Sequence, residues 1–447
     1  MLGFTAFYPT YKTFDAGGLS NVFRVMIMHF YLGIDFGTSG ARAIVIDRQK
    51  QIIDTRQSSL TNIASDKLAQ TWQDTLFSLI TQIPVAIRTS LKAIAINGTS
   101  STVLLCDATG NPITEPILYH DSRGKEVLEQ IKILAPDNHV VISATSSLAK
   151  LLWWQKQPYF ERASYLLHQA DWLAYLLHGR LGISDYHNAL KLGYDADRLC
   201  YPDWLKLPFS YLYPQVLAPG AFAGVVTPEN CDRLNLPNNC LVRMGTTDSI
   251  AAFLASGASQ PGEAVTSLGS TLVLKLLSRT KVTASEFGIY SHRLGHLWLA
   301  GGASNTGGAV LKHFFTDEQL QQLSEQINPA TVSPLKYYPL LEPGDRFPIN
   351  NPNLLPQLKP RPSNPAKFLH GLLESMSRIE GLGYQKLQDL GADQLTRVYT
   401  AGGGAKNAVW SKIRQRYLKV PVSVAANTEA AYGSALLAAE PNFKREK

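Results

Sequence analysis

The chain is 447 residues long, 45% hydrophobic and 17% charged, with a formal net charge of +7. That length accommodates two or three core-bearing domains, and the apolar content excludes a disordered chain. The positive charge is not gathered into basic runs with interleaved aromatics, so it fits an enzyme handling phosphate anions better than a nucleic-acid-binding protein.

Cys106, Cys200, Cys231 and Cys240 show neither CxxC nor metal-ligand spacing, which fits buried thiols in a reducing compartment. No apolar stretch reaches membrane-spanning length, so no membrane partner is expected. Residues 1–27 read as an extension or an upstream-start artefact. Their basic side chains are Lys12 and Arg24, they lack an apolar h-region, and Met26 and Met28 stand just ahead of the first predicted strand. Cytoplasm is therefore the expected location.

That first strand, opening at Phe30 or Tyr31, runs into a Gly37-Thr38-Ser39-Gly40 turn and out through Ala41–Asp47. The same pattern returns at Ala264–Lys275 around Gly269-Ser270-Thr271. Each is an apolar β-branched run entering and leaving a glycine-hydroxyl turn, as in a tight hairpin. Glycine lets backbone N–H groups approach an anion and the hydroxyls add donors, so two such turns suit a nucleotide's phosphates.

Between and beyond them, strands alternate with amphipathic helices, the pattern of an α/β protein. A helix is expected at Ala69–Gln82, strands at Ala93–Ile96 and Val103–Asp107 about the polar turn Asn97–Ser101, and a helical region over Ser147–Leu177. Pro214, Pro219 and Pro228 mark an irregular segment before a strand ending at Val242. Strands follow at Val265–Leu277 and Leu297–Ala300, then a helix opening at Gly307 and a Pro-rich stretch from Pro339 to Pro365. A helix at Lys367–Leu390, a strand at Arg397–Thr400, the Gly402-Gly403-Gly404 turn and a closing helix from Glu429 complete the chain.

The order and wording of several segments resemble the FGGY carbohydrate kinases. They are Gly33–Arg42, Gly245–Ser249 and Gly402–Trp410 with Glu429–Ala435, and the lesser echoes Lys150–Trp154, Ala170–Gly179 and Asp185–Tyr194. The wording around Asn97–Asp107, Ser184–Asp195 and Ala401–Trp410 is most similar to a cyanobacterial and plant branch described as D-ribulose kinase or xylulose-kinase-like. The resemblance implies two actin-like, ribonuclease-H-like domains flanking a cleft. It places a sugar-binding domain at 28–255, a nucleotide-binding domain at 256–428 and a closing segment at 429–447. It also implies ATP, Mg²⁺ and a small sugar as partners, no nucleic acid, and a monomer or homodimer.

On that pattern Asp248, in a turn beside Gly245, is the expected general base. By spacing alone it could equally cap the helix that follows. Asp35, ending an apolar strand, is a candidate for Mg²⁺ and substrate, or for bracing its own turn. Thr38 and Gly37 are expected at the γ-phosphate, and Gly269, Ser270 and Thr271 at the β- and γ-phosphates. The glycine-rich run Gly301–Gly308, with Gly307 at the helix start, is expected as a helix-start anion site, or else serves packing. Gly403 and Gly404 would let adenine lie on bare backbone, with Asn407 bonding the base. Trp410 would offer a flat face, or else pack in the core. Arg42 could reach phosphate or pair with an acid.

Ser100, Asp121, Arg123 and Asp248 are the expected sugar contacts. Tyr119 stands where the family's sugar motif usually has tryptophan, and Asn97 where the branch has an acid. Asp121 and Arg123 could instead form a surface ion pair. The reading is thus an ATP-dependent kinase acting on D-ribulose, with D-xylulose or another ketose or polyol behind it. An actin- or Hsp70-like ATPase would share the phosphate turns but lacks a spare domain here. A non-catalytic sensor is disfavoured by the presence of both Asp248 and Thr38.

Overall fold

The computed structural model describes residues 29–440. The expected extension at 1–27 and the last residues of the closing segment lie outside them.

The first sheet holds β1 (Phe30–Phe36), β2 (Gly40–Ile46), β3 (Ile52–Ser59) and β4 (Leu91–Gly98). Two short ladders follow, β5 (Val103–Cys106) with β6 (Tyr165–His168) and β7 (Ile183–Asp185) with β8 (Gln215–Leu217). Strands β9 (Phe222–Val225) and β10 (Leu241–Arg243) then complete the first sheet in the order β3-β2-β1-β4-β10-β9. The second sheet comprises β11 (Glu263–Leu268), β12 (Leu272–Ser278), β13 (Tyr290–Leu294), β14 (Leu297–Ser304), β15 (Arg397–Ala401) and β16 (Val422–Val424), ordered β13-β14-β12-β11-β15-β16.

The two sheets share a plan. In each, two antiparallel partners lie on one side of the leading strand (β2 and β3 beside β1, β12 and β14 beside β11). Two parallel strands lie on the other, β4 and β10 in the first sheet and β15 and β16 in the second. The duplicated glycine-hydroxyl turn is therefore the β1–β2 and the β11–β12 hairpin of a duplicated fold.

The region expected as one helical stretch over Ser147–Leu177 is instead two helices, Ser147–Gln155 and Gln169–His178, with β6 between them. Pro158 lies just beyond the first helix, and the apolar Tyr165–His168 then pairs with β5 rather than coiling.

Helices Asp248–Ala255 and Ala430–Ala439 lie between the sheets. Ile250, Phe253 and Leu254 share one apolar cluster with Ala93 and Ala95 of the first sheet, Val265, Leu277 and Leu299 of the second, and Leu437. The closing helix thus packs on the first sheet although it comes last in the chain. Its fit depends on glycines: a Cβ at Gly33 would stand 2.0 Å from the Ala431 oxygen, and one at Gly433 would stand 1.9 Å from the Ala251 oxygen. Gly433→Ala is accordingly expected to cost about 3 kcal/mol or more, because backbone cannot yield as a flexible side chain does. Denaturant unfolding measures this; a variant as stable as the parent would show that the helix can slide.

Beneath β11 and β15 lies a closed polar network. Arg414 donates to Glu380 at 2.6 and 2.7 Å and to Thr400 at 2.6 Å, and Thr266 joins Glu380 and Tyr384. These groups are buried and mutually satisfied, which fixes the strands that carry the Gly269 and Gly402 turns.

Candidate active site

Strands β1, β4 and β10 are parallel neighbours, and ligands of such sheets bind beyond the strands' carboxyl ends. There Asp35 pairs in register with Asn97, and Gly98 bridges to Thr247, the residue before Asp248. Asp35 Oδ1, Asn97 Oδ1 and Thr247 Oγ1 are all buried without a protein partner. An unmet polar atom costs about 1–3 kcal/mol, so three of them on neighbouring strand ends make this a candidate place for a ligand.

Asp35 has its carboxyl pushed up to about 7, first by burial and then by the nearby Asp248, with Arg42 opposing. Asp248 is likewise raised by burial, against the Ser249 amide and the cations Lys275 and Lys191. Thr247 occupies the cap position, while Asp248 opens the helix and takes the Ser249 N–H at 2.6 Å. Two buried carboxyls near enough for Asp248 to oppose the charge on Asp35, with cations beside Asp248, are suited to holding and moving a proton.

The first hairpin turn adjoins this centre, and the second hairpin reaches it through Lys275. Gly37 N–H donates to Gly40 at 3.0 Å, leaving Thr38 and Ser39 exposed directly after Asp35. In the second hairpin Ser270 and Thr271 are exposed as well, and β12 then brings Lys275 to Asp248.

The expected anion site at Gly307 is corrected in two respects. Gly301 and Gly302 belong to β14, where a Cβ would strike Leu274 and the Phe347 ring. The Gly308 and Ala309 amides donate to Gly269 and Ser270 at 2.8 and 3.1 Å, and a Cβ at Gly307 (φ +148°) would lie 2.7 Å from the Ser270 oxygen. Gly307 and Gly308 pack against and hydrogen-bond the Gly269–Thr271 turn.

At the adenosine end, Gly403 has open space at its Cβ position. Gly404 rests on Leu268 and the Trp410 ring. Trp410 itself is 2% exposed, so the expected flat adenine face is turned inward and the core-packing alternative describes it. Asn407 caps the helix Ala408–Leu418 by accepting the Trp410 N–H at 2.9 Å, and its amide donates to Ser324 at 2.8 Å. These bonds use one of the amide's N–H groups and one acceptor site of its oxygen.

On the acceptor side, Arg123 forks onto Asp121 at 2.7–3.0 Å and lies 4.7 Å over Trp153. The pair is an ion pair as the alternative had it, but a part-buried and stacked one. Its neighbour Lys150, the first residue of the Lys150–Trp154 segment, is buried and pulled down to about 7 by desolvation. Lys150 Nζ donates to the Ser101 and Leu118 carbonyls at 2.6 and 2.7 Å, tying the half-buried Ser100 turn to the Tyr119–Arg123 segment. Asn97 donates to Ser434 at 2.8 Å and to the Ala430 carbonyl at 3.3 Å, donor work that an acid could not do. Arg42 pairs with Glu429 at 3.0 Å, both largely exposed.

Lys275, Lys191 and His292 line a cavity of about 910 Å³ between 136–204 and the second sheet, reaching Ser249 beside the carboxyls. Lys275 was legible only as a single charge in the apolar run Leu272–Leu277. Among the described residues no three His, Cys, Asp or Glu side chains cluster as metal ligands, and no helix is long and apolar enough to cross a membrane.

Residues 30–255 match the model of the FGGY family of carbohydrate kinases, N-terminal domain, and residues 264–440 that of its C-terminal domain. A xylulose kinase of Staphylococcus xylosus is 24% identical, covering 92% of this chain and 91% of its own. Among solved structures, a "xyloylose kinase" from Brucella ovis superposes with TM-score 0.79 at 21% identity, covering 93% and 92%. A Plasmodium falciparum glycerol kinase with ADP superposes with TM-score 0.78 at 17% identity, covering 92% and 89%.

Proposed function

This chain belongs to the FGGY family of carbohydrate kinases and is an ATP-dependent sugar kinase, and from that premise we propose that it phosphorylates D-ribulose to D-ribulose 5-phosphate with Asp248 as general base. The observation that carries the site reading is the buried Asp35, whose charge Asp248 opposes, together with the unpartnered Asp35 Oδ1, Asn97 Oδ1 and Thr247 Oγ1. The acceptor hydroxyl oxygen forms a bond to the γ-phosphorus as the bond from that phosphorus to the β–γ bridging oxygen breaks. The hydroxyl proton passes to the Asp248 carboxylate and ADP leaves.

In this reading the Gly37-Thr38 turn and the Gly269-Ser270-Thr271 turn take the β- and γ-phosphates, and Gly403 gives adenine a bare backbone. Mg²⁺ bound with ATP neutralises charge on the phosphate oxygens. Asp35, whose buried Oδ1 has no protein partner, fits it as one carboxylate acting directly or through water. Ser100, Asp121 and Arg123 face the acceptor, and the cytoplasm is the setting.

The choice of D-ribulose rests on the likeness of Asn97–Asp107, Ser184–Asp195 and Ala401–Trp410 to the D-ribulose kinase branch. D-xylulose is the second reading, favoured by the names of the full-length relatives. ADP release with ATP and Mg²⁺ over D-ribulose, D-xylulose, L-ribulose, glycerol and no sugar decides between them. Release with D-ribulose at least ~10-fold above the others is expected, since site groups left unpaired penalise the wrong analogue. Preference for D-xylulose would keep the kinase and move the sugar. Equal release with and without every sugar would remove the assigned acceptor chemistry.

A further inference from the structure

The motif Ser184–Asp195 contains a buried histidine that the phosphoryl-transfer reading leaves unused. His187 Nε2 lies 2.6 Å from the carbonyl oxygen of Arg293 on β13, and Nδ1 lies 2.6 Å from Thr246 Oγ1. A carbonyl only accepts, so Nε2 carries the proton and Nδ1 of the neutral ring receives the Thr246 hydroxyl. Burial supports the neutral form by lowering this imidazole to about 4.

The ring is held in place from behind. Its own amide donates to Asp185 Oδ1 at 2.7 Å, and Asp185 also takes two donors from Asn188. Arg293 returns the contact by donating to the Ala196 and Asp197 carbonyls. His187 therefore joins the first domain's catalytic turn to a strand of the second.

A second link crosses the same gap. Lys275 Nζ, on β12, donates to the Ser249 carbonyl oxygen. Thr246 is two residues before Asp248 and Ser249 is one after it, so the second domain reaches the turn on both sides of the base, through His187 on one side and directly from Lys275 on the other.

We propose that His187 and Lys275 are positioning residues that clamp the Thr246–Ser249 turn to the nucleotide-bearing domain, so that Asp248 is aligned only when that domain is seated. This rests on Asp248 being the base. The consequence is a proton acceptor assembled by domain closure, which ties acceptor activation to the arrival of the phosphates. A displacement of about 1 Å at a reacting group is enough to cost ~10²-fold, so two hydrogen bonds at the turn can govern turnover without touching substrate.

The test uses full-length Lys275→Met, Lys275→Arg and His187→Leu, read by hydrogen exchange of the peptide spanning 244–252 and by steady-state kinetics. The expected result is exchange at Thr246–Ser249 at least ~10-fold faster in Lys275→Met and His187→Leu, with β1 unchanged. Sugar-dependent kcat should fall ~10–100-fold with KM for sugar nearly constant, and Lys275→Arg should retain most of both. Unchanged exchange and kcat in Lys275→Met, which keeps the length of the side chain while removing its donor, overturns the clamp even if His187→Leu fails to fold. Unchanged exchange alone does the same. Faster exchange with undiminished kcat shows that the turn is held but not for catalysis, and also overturns it. A parent enzyme without sugar-dependent turnover would refute the base, while the exchange arm still decides whether the clamp exists.

Discussion

Asp248→Asn is expected to lower kcat by ~10³-fold while KM for sugar and for ATP stays within a factor of a few. A positioned base contributes typically ~10²–10⁴-fold, and the amide keeps the shape and the Ser249 contact while losing the ability to take a proton. Retained binding separates this outcome from a collapsed site. The parent's activity should also fall on acidification at a pH above the ordinary carboxylate range, because burial raises Asp248 and only its ionised form accepts the hydroxyl proton. Lys275 and Lys191 limit that rise, so Lys275→Met should move the acid limb further up. Full turnover in Asp248→Asn would transfer the role to another group, and Asp35 is the one at hand.

Much of this centre is legible in the sequence because phosphate chemistry is local. A glycine-hydroxyl turn between two apolar strands is the same object at Gly37–Gly40 and at Gly269–Thr271, and the topology repeats with it. What the sequence conceals are contacts between distant residues. Arg42 meets Glu429 387 positions away, and His187 meets Arg293 106 positions away. No periodicity encodes those separations. Trp410 illustrates a different difficulty: its spacing from Asn407 is the same whether the ring faces adenine or the core, and the choice is made by Leu268 and Gly404 packing on it. At Gly301–Gly302 the glycines resemble a phosphate loop, yet they serve the close approach of β14 to β12 and to Phe347. The break at Pro158 was readable as a helix stop, but the pairing of Tyr165–His168 with β5 was not.

Asp35→Asn is expected to separate stability from activity, raising the first and removing most of the second. In the folded protein this carboxyl holds its proton to about 7, against 3.8 when free, because burial and Asp248 oppose its charge. The folded state therefore binds the proton more tightly than the unfolded state does. The associated stability is fully present below pH ~4 and is lost as pH rises through about 7. One pKa unit corresponds to ~1.4 kcal/mol, so ionised Asp35 costs the protein on the order of a few kcal/mol in the absence of ligand. Asparagine carries no such charge. Its advantage over the parent in urea unfolding, with nucleotide and Mg²⁺ omitted, should be small near pH 5 and larger by pH 8. Turnover should fall by at least ~10²-fold, since the neutral amide is a poor partner for the charge carried with ATP. Equal stability of the two proteins at both pH values would mean that the carboxyl is already satisfied, against its unpartnered Oδ1. A gain that grows with pH alongside lost turnover would instead identify Asp35 as strain retained for a ligand. Its burial, with the opposing charge of Asp248, is then the folded protein's standing cost for a site that ATP completes.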